Sequence, residues 1–162
     1  MKKTVLILAA LCIILSSFTG CDVVRTLLAK GLGAKVTDEP ECEKTTYDGA
    51  IMEYVSSTSD TLTVRMENRT DSTWQSGNMR DYHLEAERDG KWYEVEQIGE
   101  FANTMELMIF APGNEMTHTF SFSERYGILA PGKYRVVKAY WANKTETSDA
   151  HEFHLVCEFT VE

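Results

Sequence analysis

In one run after another from about Tyr47 to the last residues, apolar and polar side chains alternate, and a period of two suits half-buried strands. Leu62, Val64 and Met66 alternate with Thr61, Thr63, Arg65 and Glu67. Tyr82, Leu84 and Ala86 alternate with His83, Glu85 and Glu87. Arg88-Asp89-Gly90-Lys91 follows, and Asp-Gly supplies the positive φ that a two-residue hairpin needs. Trp92, Tyr93 and Val95 carry the return strand. Residues 105–110 read as another strand, closed by Ala111-Pro112-Gly113-Asn114, after which Met116, His118, Phe120 and Phe122 keep step. Residues 134–141 rise as a further strand, and Phe153, Leu155, Cys157, Phe159 and Val161 line one face of the last. With an opening strand at 51–55, the count is seven or eight short strands separated by turn signals, and no segment reads as a long helix. Each strand offers one apolar face, so the pattern predicts an all-β, antiparallel two-sheet sandwich.

The first 46 residues follow other rules. Lys2 and Lys3 precede an unbroken apolar run from Val5 to Leu15, the length of a signal-peptide core and too short to span a bilayer. Ser16 and Ser17 then lead into Phe18-Thr19-Gly20-Cys21. That tetrapeptide resembles the lipobox of bacterial lipoproteins, with Phe18 in place of the more usual Leu. The resemblance implies that Cys21 receives diacylglycerol, that cleavage falls just before it, and that the protein is held on the extracytoplasmic face of the cell membrane. Each buried acyl CH₂ contributes about 0.8 kcal/mol, so two or three chains make a lasting anchor. The expected layout is a signal peptide at 1–20, a lipidated N-terminus and tether at 21–46, and the sandwich at 47–162. Within the tether, Val23, Val24, Leu27, Leu28 and Leu32 suit either a short amphipathic helix on the headgroups or a loose linker. Asp38, Glu39, Glu41 and Glu43 around Pro40 read as a solvated spacer.

Residues 1–20 carry two of the 16 basic residues and none of the 25 acidic ones. The remainder therefore sets 14 basic against 25 acidic residues, a formal charge of −11. Such a surface argues against nucleic acid, anionic lipid and anionic wall polymer as partners of the folded part.

A strand ending in Glu67-Asn68-Arg69-Thr70, Tyr82 leading to Gly90-Lys91-Trp92-Tyr93-Glu94-Val95, Pro112-Gly113, and the block Tyr126-Gly127-Ile128-Leu129-Ala130-Pro131-Gly132-Lys133-Tyr134-Arg135 together resemble a bacterial Ig-like domain. The resemblance covers roughly residues 47–162 and implies an immunoglobulin-like sandwich. Asn68, Ser76-Gly77, Asp81-Tyr82 and the Asp89-Gly90 hairpin are also similar to the sandwich domain of a Bacillus-type proteinase inhibitor. Neither family brings a catalytic residue set. In Ig-like sandwiches the N-terminal segment can run beside the last strand. With Cys12 in the signal peptide and Cys21 lipidated, that arrangement implies a disulfide between Cys42 and Cys157 in an oxidising compartment.

Chemistry-bearing patterns are sparse. His151-Glu152-Phe153-His154 enters a strand, where residues three apart point to opposite faces, so both histidines are read as surface residues and no metal is expected. No serine sits in a nucleophile elbow, no Gly-rich phosphate loop occurs, and the carboxylates fall on polar strand phases or in loops. Trp92, Phe120, Tyr126, Tyr134 and Phe159 are expected in the core. Trp74, Tyr93 and Trp141 are the candidate binding surface, because turn position or strand phase sets them apart from the core set. The expectation is a lipid-anchored, non-catalytic Ig-like binding or structural module without cofactor, meeting an envelope protein or glycan. The alternative is a sandwich-type proteinase inhibitor, with an enzyme a distant third.

Overall fold

The computed structural model describes residues 35–41, 43–99, 106–142 and 151–162. The signal peptide, Cys21, the first part of the tether and Cys42 lie outside the described residues.

Nine strands are present among the described residues: β1 Ala50–Ser57, β2 Thr61–Asn68, β3 Trp74–Ser76, β4 His83–Arg88, β5 Lys91–Glu94, β6 Met108–Phe110, β7 Glu115–Ser121, β8 Gly132–Ala142 and β9 His151–Val161. All pair antiparallel. A smaller sheet has the order β1-β2-β7. The larger sheet is organised by β8, which pairs along its length with β9 on one side. On its other side β8 pairs first with β4 and then, near its end, with β3. β5 flanks β4, and β6 flanks β3. The alternating pattern thus builds the predicted all-β sandwich. The β4–β5 hairpin turns at Asp89 and Gly90, both at positive φ as expected (53° and 75°).

The core forms between the inner faces, where Leu62, Val64 and Met66 of β2 meet Leu84, Val136, Tyr140, Phe153 and Phe159 of the larger sheet. Phe120 and Tyr126 are buried here as expected, and Tyr134 packs against the core beside Phe159. Two expectations fail by phase. Trp92 pairs with Glu87 on the outward face of β5, where the guanidinium of Arg135 lies 4.5 Å from its ring centroid. It is half-buried and outside the core cluster. Trp74, expected on the surface after the polar turn at residues 68–73, instead opens β3 and is buried. The side chain of Asn68 folds that turn back, donating to the carbonyls of Ser72 and Phe110 and accepting from Thr70, and so delivers Trp74 to the core.

The structure begins before residue 47. Residues 35–41 and 43–47 form a strap in place of the expected solvated spacer. Val36 bridges to Val95, and Thr37 N–H donates to the Glu94 carbonyl. Farther along, Glu41 N–H donates to the Trp92 carbonyl, and Thr45 accepts from His154 N–H on β9. Tyr47 closes the crossing, its ring centroid 5.1 Å from that of Phe153. The strap therefore leads across the larger sheet from the β5 edge to the β9 edge before the chain enters β1.

Cys157 is a thiol buried among the inward residues of β9, and Cys42, its expected disulfide partner, lies outside the described residues. Burial pushes its pKa up to about 11.

Candidate functional site

Strand phase decides what the larger sheet shows to its surroundings. Residues 133, 135, 137, 139 and 141 of β8 face outward, together with His83 and Glu85 of β4, Glu94 of β5 and Glu152 and His154 of β9. Where the strap passes over this face, Glu85 is buried, its side chain 1% exposed. Lys44 Nζ lies 3.0 Å from one of its carboxylate oxygens, and Arg135 Nε donates to the other at 2.6 Å. Lys44 also reaches Glu41 at 3.0 Å. Burial lowers the pKa of the Lys44 ammonium, but bonds from Glu41 and Glu85 outweigh it and hold the pKa above the ordinary lysine value.

Beside this lock lies a cleft of about 210 Å³. Val137 and Ala139 contribute short apolar side chains, while Glu94 with His83, and Glu152 with His154, line it alongside the strap. His83 Nδ1 and Glu94 Oε1 are 3.1 Å apart, and His154 Nε2 stands 3.8 Å from Glu152. His154 Nδ1 is buried and has no hydrogen-bond partner among the described residues. Four carboxylates line the cleft against one ammonium, so even with Arg135 counted on Glu85, two negative charges remain before any contribution from histidine.

Farther along β8 the surface becomes apolar. Trp141 is 37% exposed, and its neighbour in the next strand is Gln75, whose neighbour in turn is Ile109 of β6. Ile109 is 59% exposed and Leu107, two residues earlier, 62%. Trp141 also pairs with Glu152, so the apolar row and the acidic cleft share a border.

The three aromatic residues expected to form a binding surface are not together. Trp141 is exposed on the outward face. Tyr93 pairs with Ala86 on the opposite face of β5, half-buried, with the Arg88 guanidinium 4.5 Å from its ring centroid. Trp74 is fully buried, stacked on Phe110 at 5.6 Å between centroids, and its indole donates to Thr70 Oγ1 at 3.1 Å. As a core residue it cannot contact a partner. His151 is exposed, and His154 is half-buried at the cleft.

Two features escaped the sequence reading. Glu85 has the phase of a solvated residue, yet Arg135 on β8 and Lys44 from the strap, both distant in sequence, close over it. Leu107-Met108-Ile109-Phe110 did carry a signal: four apolar residues in succession place apolar side chains on both faces of a strand.

The residues similar to the inhibitor domain have structural work. Lys138 on β8 points inward, is 0% exposed, and donates to the carbonyls of Asn78 and Asp81, each at 2.9 Å, and of Gly77 at 3.4 Å. This holds the loop between β3 and β4. Burial pulls its pKa down to about 8 and also, with the Lys138 charge, lowers that of the half-buried His118.

A family profile described as bacterial Ig-like domain matches residues 51–154, and the chain belongs to that family. No curated protein matches the sequence. The matched segment takes in most of the strands of both sheets, while the strap precedes it.

Proposed function

We propose that this protein is a lipid-anchored, extracytoplasmic Ig-like module that works by binding, without catalysis, through the outward face of its larger sheet. Of the large apolar side chains left exposed, Leu107, Ile109 and Trp141 form a row that borders the cleft, and this row is the observation that carries the reading. Exposed apolar clusters with polar rims mark interaction surfaces, and aromatic residues dominate binding energy when a partner covers them. The Phe18–Cys21 motif supports anchoring at Cys21, which would present this module from the membrane.

A photo-crosslinking amino acid placed at position 141 or 109, in cells that make the full chain, tests the binding surface. A discrete adduct from these positions, absent when the probe replaces Tyr54 on the smaller sheet, is the expected result. Silence at both positions would overturn it. Cys21→Ser should abolish incorporation of a labelled fatty acid, and unchanged labelling would remove the anchor from the reading.

A further inference from the structure

We infer that the outward face of the larger sheet docks a short cationic polypeptide segment whose apolar side chains cover Trp141 and Ile109. The inference rests on the reading of that face as the binding surface and adds the chemistry of the partner. Charge complementarity selects it. The apolar row ends at Glu152, and Glu152 and Glu94 line the adjoining cleft, where carboxylates outnumber cations. On the smaller sheet, by contrast, Arg65 already bonds Glu53, Glu67 and Glu115, so its charges answer one another. A lysine or arginine side chain entering the cleft would meet carboxylates at its walls and lay its methylenes on Val137 and Ala139.

Geometry sets the length of the segment. Two strand spacings separate Ile109 from Trp141, about 10 Å, and four residues of β8 separate Trp141 from Val137, about 13 Å. Some seven extended residues cover that path. A second copy of the chain is a poor occupant, since it would bring the same carboxylates and a formal charge of −9 against its own kind. Anionic polymers meet the same repulsion. A neutral glycan would cover Trp141 but leave the carboxylates unanswered.

The probe is a nine-residue peptide with three leucines at one end, three lysines at the other and serines between. It is titrated against the full chain in phosphatidylcholine nanodiscs, with empty nanodiscs subtracted. Comparison peptides replace the lysines by glutamates or the leucines by serines. The diblock peptide is expected to bind at least tenfold more tightly than either comparison peptide. Trp141→Ala and, independently, Ile109→Ser should each weaken it about tenfold without lowering the melting temperature. The Glu94→Gln, Glu152→Gln double variant should flatten the salt dependence of binding. Tyr54→Ala should change nothing. Equal affinity for the glutamate peptide, binding indifferent to both Trp141→Ala and Ile109→Ser, or self-association through this face would overturn the inference. If the crosslinker at 141 captures a partner in cells while the diblock peptide fails to bind, the surface stands and its cationic partner does not. If both are silent, the surface itself is refuted.

Discussion

The two outward faces of the sandwich are made by the same strand alternation and end up unlike each other. On the smaller sheet, Arg65 bonds Glu53, Glu67 and Glu115, Arg69 bonds Glu67, and Thr63 pairs with Thr119 across strands. The charged side chains there answer neighbours on the same face. On the larger sheet, Glu85 takes one partner from its own face, Arg135, and a second, Lys44, from the strap, the cleft keeps an excess of carboxylates, and Trp141 and Ile109 stand exposed. A self-answered face needs nothing further. The larger sheet's face keeps charge and apolar area that its own side chains do not answer.

The sharpest break between structural and binding residues concerns two tryptophans. Trp74→Ala removes a fully buried ring and should destabilise the chain by about 3–5 kcal/mol. Trp141→Ala on the open face should shift stability within about 0.5 kcal/mol. Urea melts of the two variants check the pair, and similar losses would erase the distinction.

Glu85→Ala tests whether the strap is locked from beneath. The substitution leaves Lys44 and Arg135 facing one another without their shared carboxylate, and removing one partner of a buried pair costs about 3–5 kcal/mol. Hydrogen exchange should rise first at Thr37 and Glu41, whose amides hold the strap to the sheet. Unchanged protection there would mean that the lock is ornamental.

Lys138 lies between the two faces and gives a pH signature. The unfolded lysine titrates at its ordinary 10.5 and the buried one at about 8. Between those values the unfolded chain binds more protons, so this group makes stability rise as pH rises. Relative to Lys138→Met, the wild type should gain stability from pH 8 toward pH 10 in denaturant melts. A difference that stays flat would show that burial does not depress this ammonium.

The smallest effect belongs to the self-answered face. Arg65→Ala should lower stability slightly at low salt, with the difference from wild type shrinking in 1 M NaCl, since exposed pairs are screened. A difference that persists at high salt would show that the Arg65 cluster is more than a solvated surface.

These contrasts also mark what could be read in advance. Alternation located β2, β4, β7 and β9, and Asp89-Gly90 located the hairpin, because both signals depend on residues close in sequence. Trp74 defeated the reading because its burial depends on Asn68 bending the preceding turn, a contact invisible to periodicity. The phase of β5 placed Trp92 outward and Tyr93 inward, the reverse of the expectation, because paired aromatics give no preference between faces. At the candidate site, strand phase gives the exposure of Trp141, whereas the acidic composition of the strap that walls the cleft reads as solvated spacer. Its acidic residues do look solvated until Glu85, far along the chain, is seen to be their neighbour through Lys44.

The strap gives the fold a load path. Tension applied through residue 34 first meets the Lys35–Glu96 pair and the single bridge between Val36 and Val95, fastenings engaged one after another like the teeth of a zip. A pull from that end undoes them singly, at low force. The long β8–β9 ladder does not lie in that line until the strap has been drawn off. Glu41 and Lys44 come away before any strand of the sandwich yields, and with them goes one wall of the acidic cleft. A tug on the N-terminal side of the strap would therefore reshape the outward face of the larger sheet while leaving the sandwich standing.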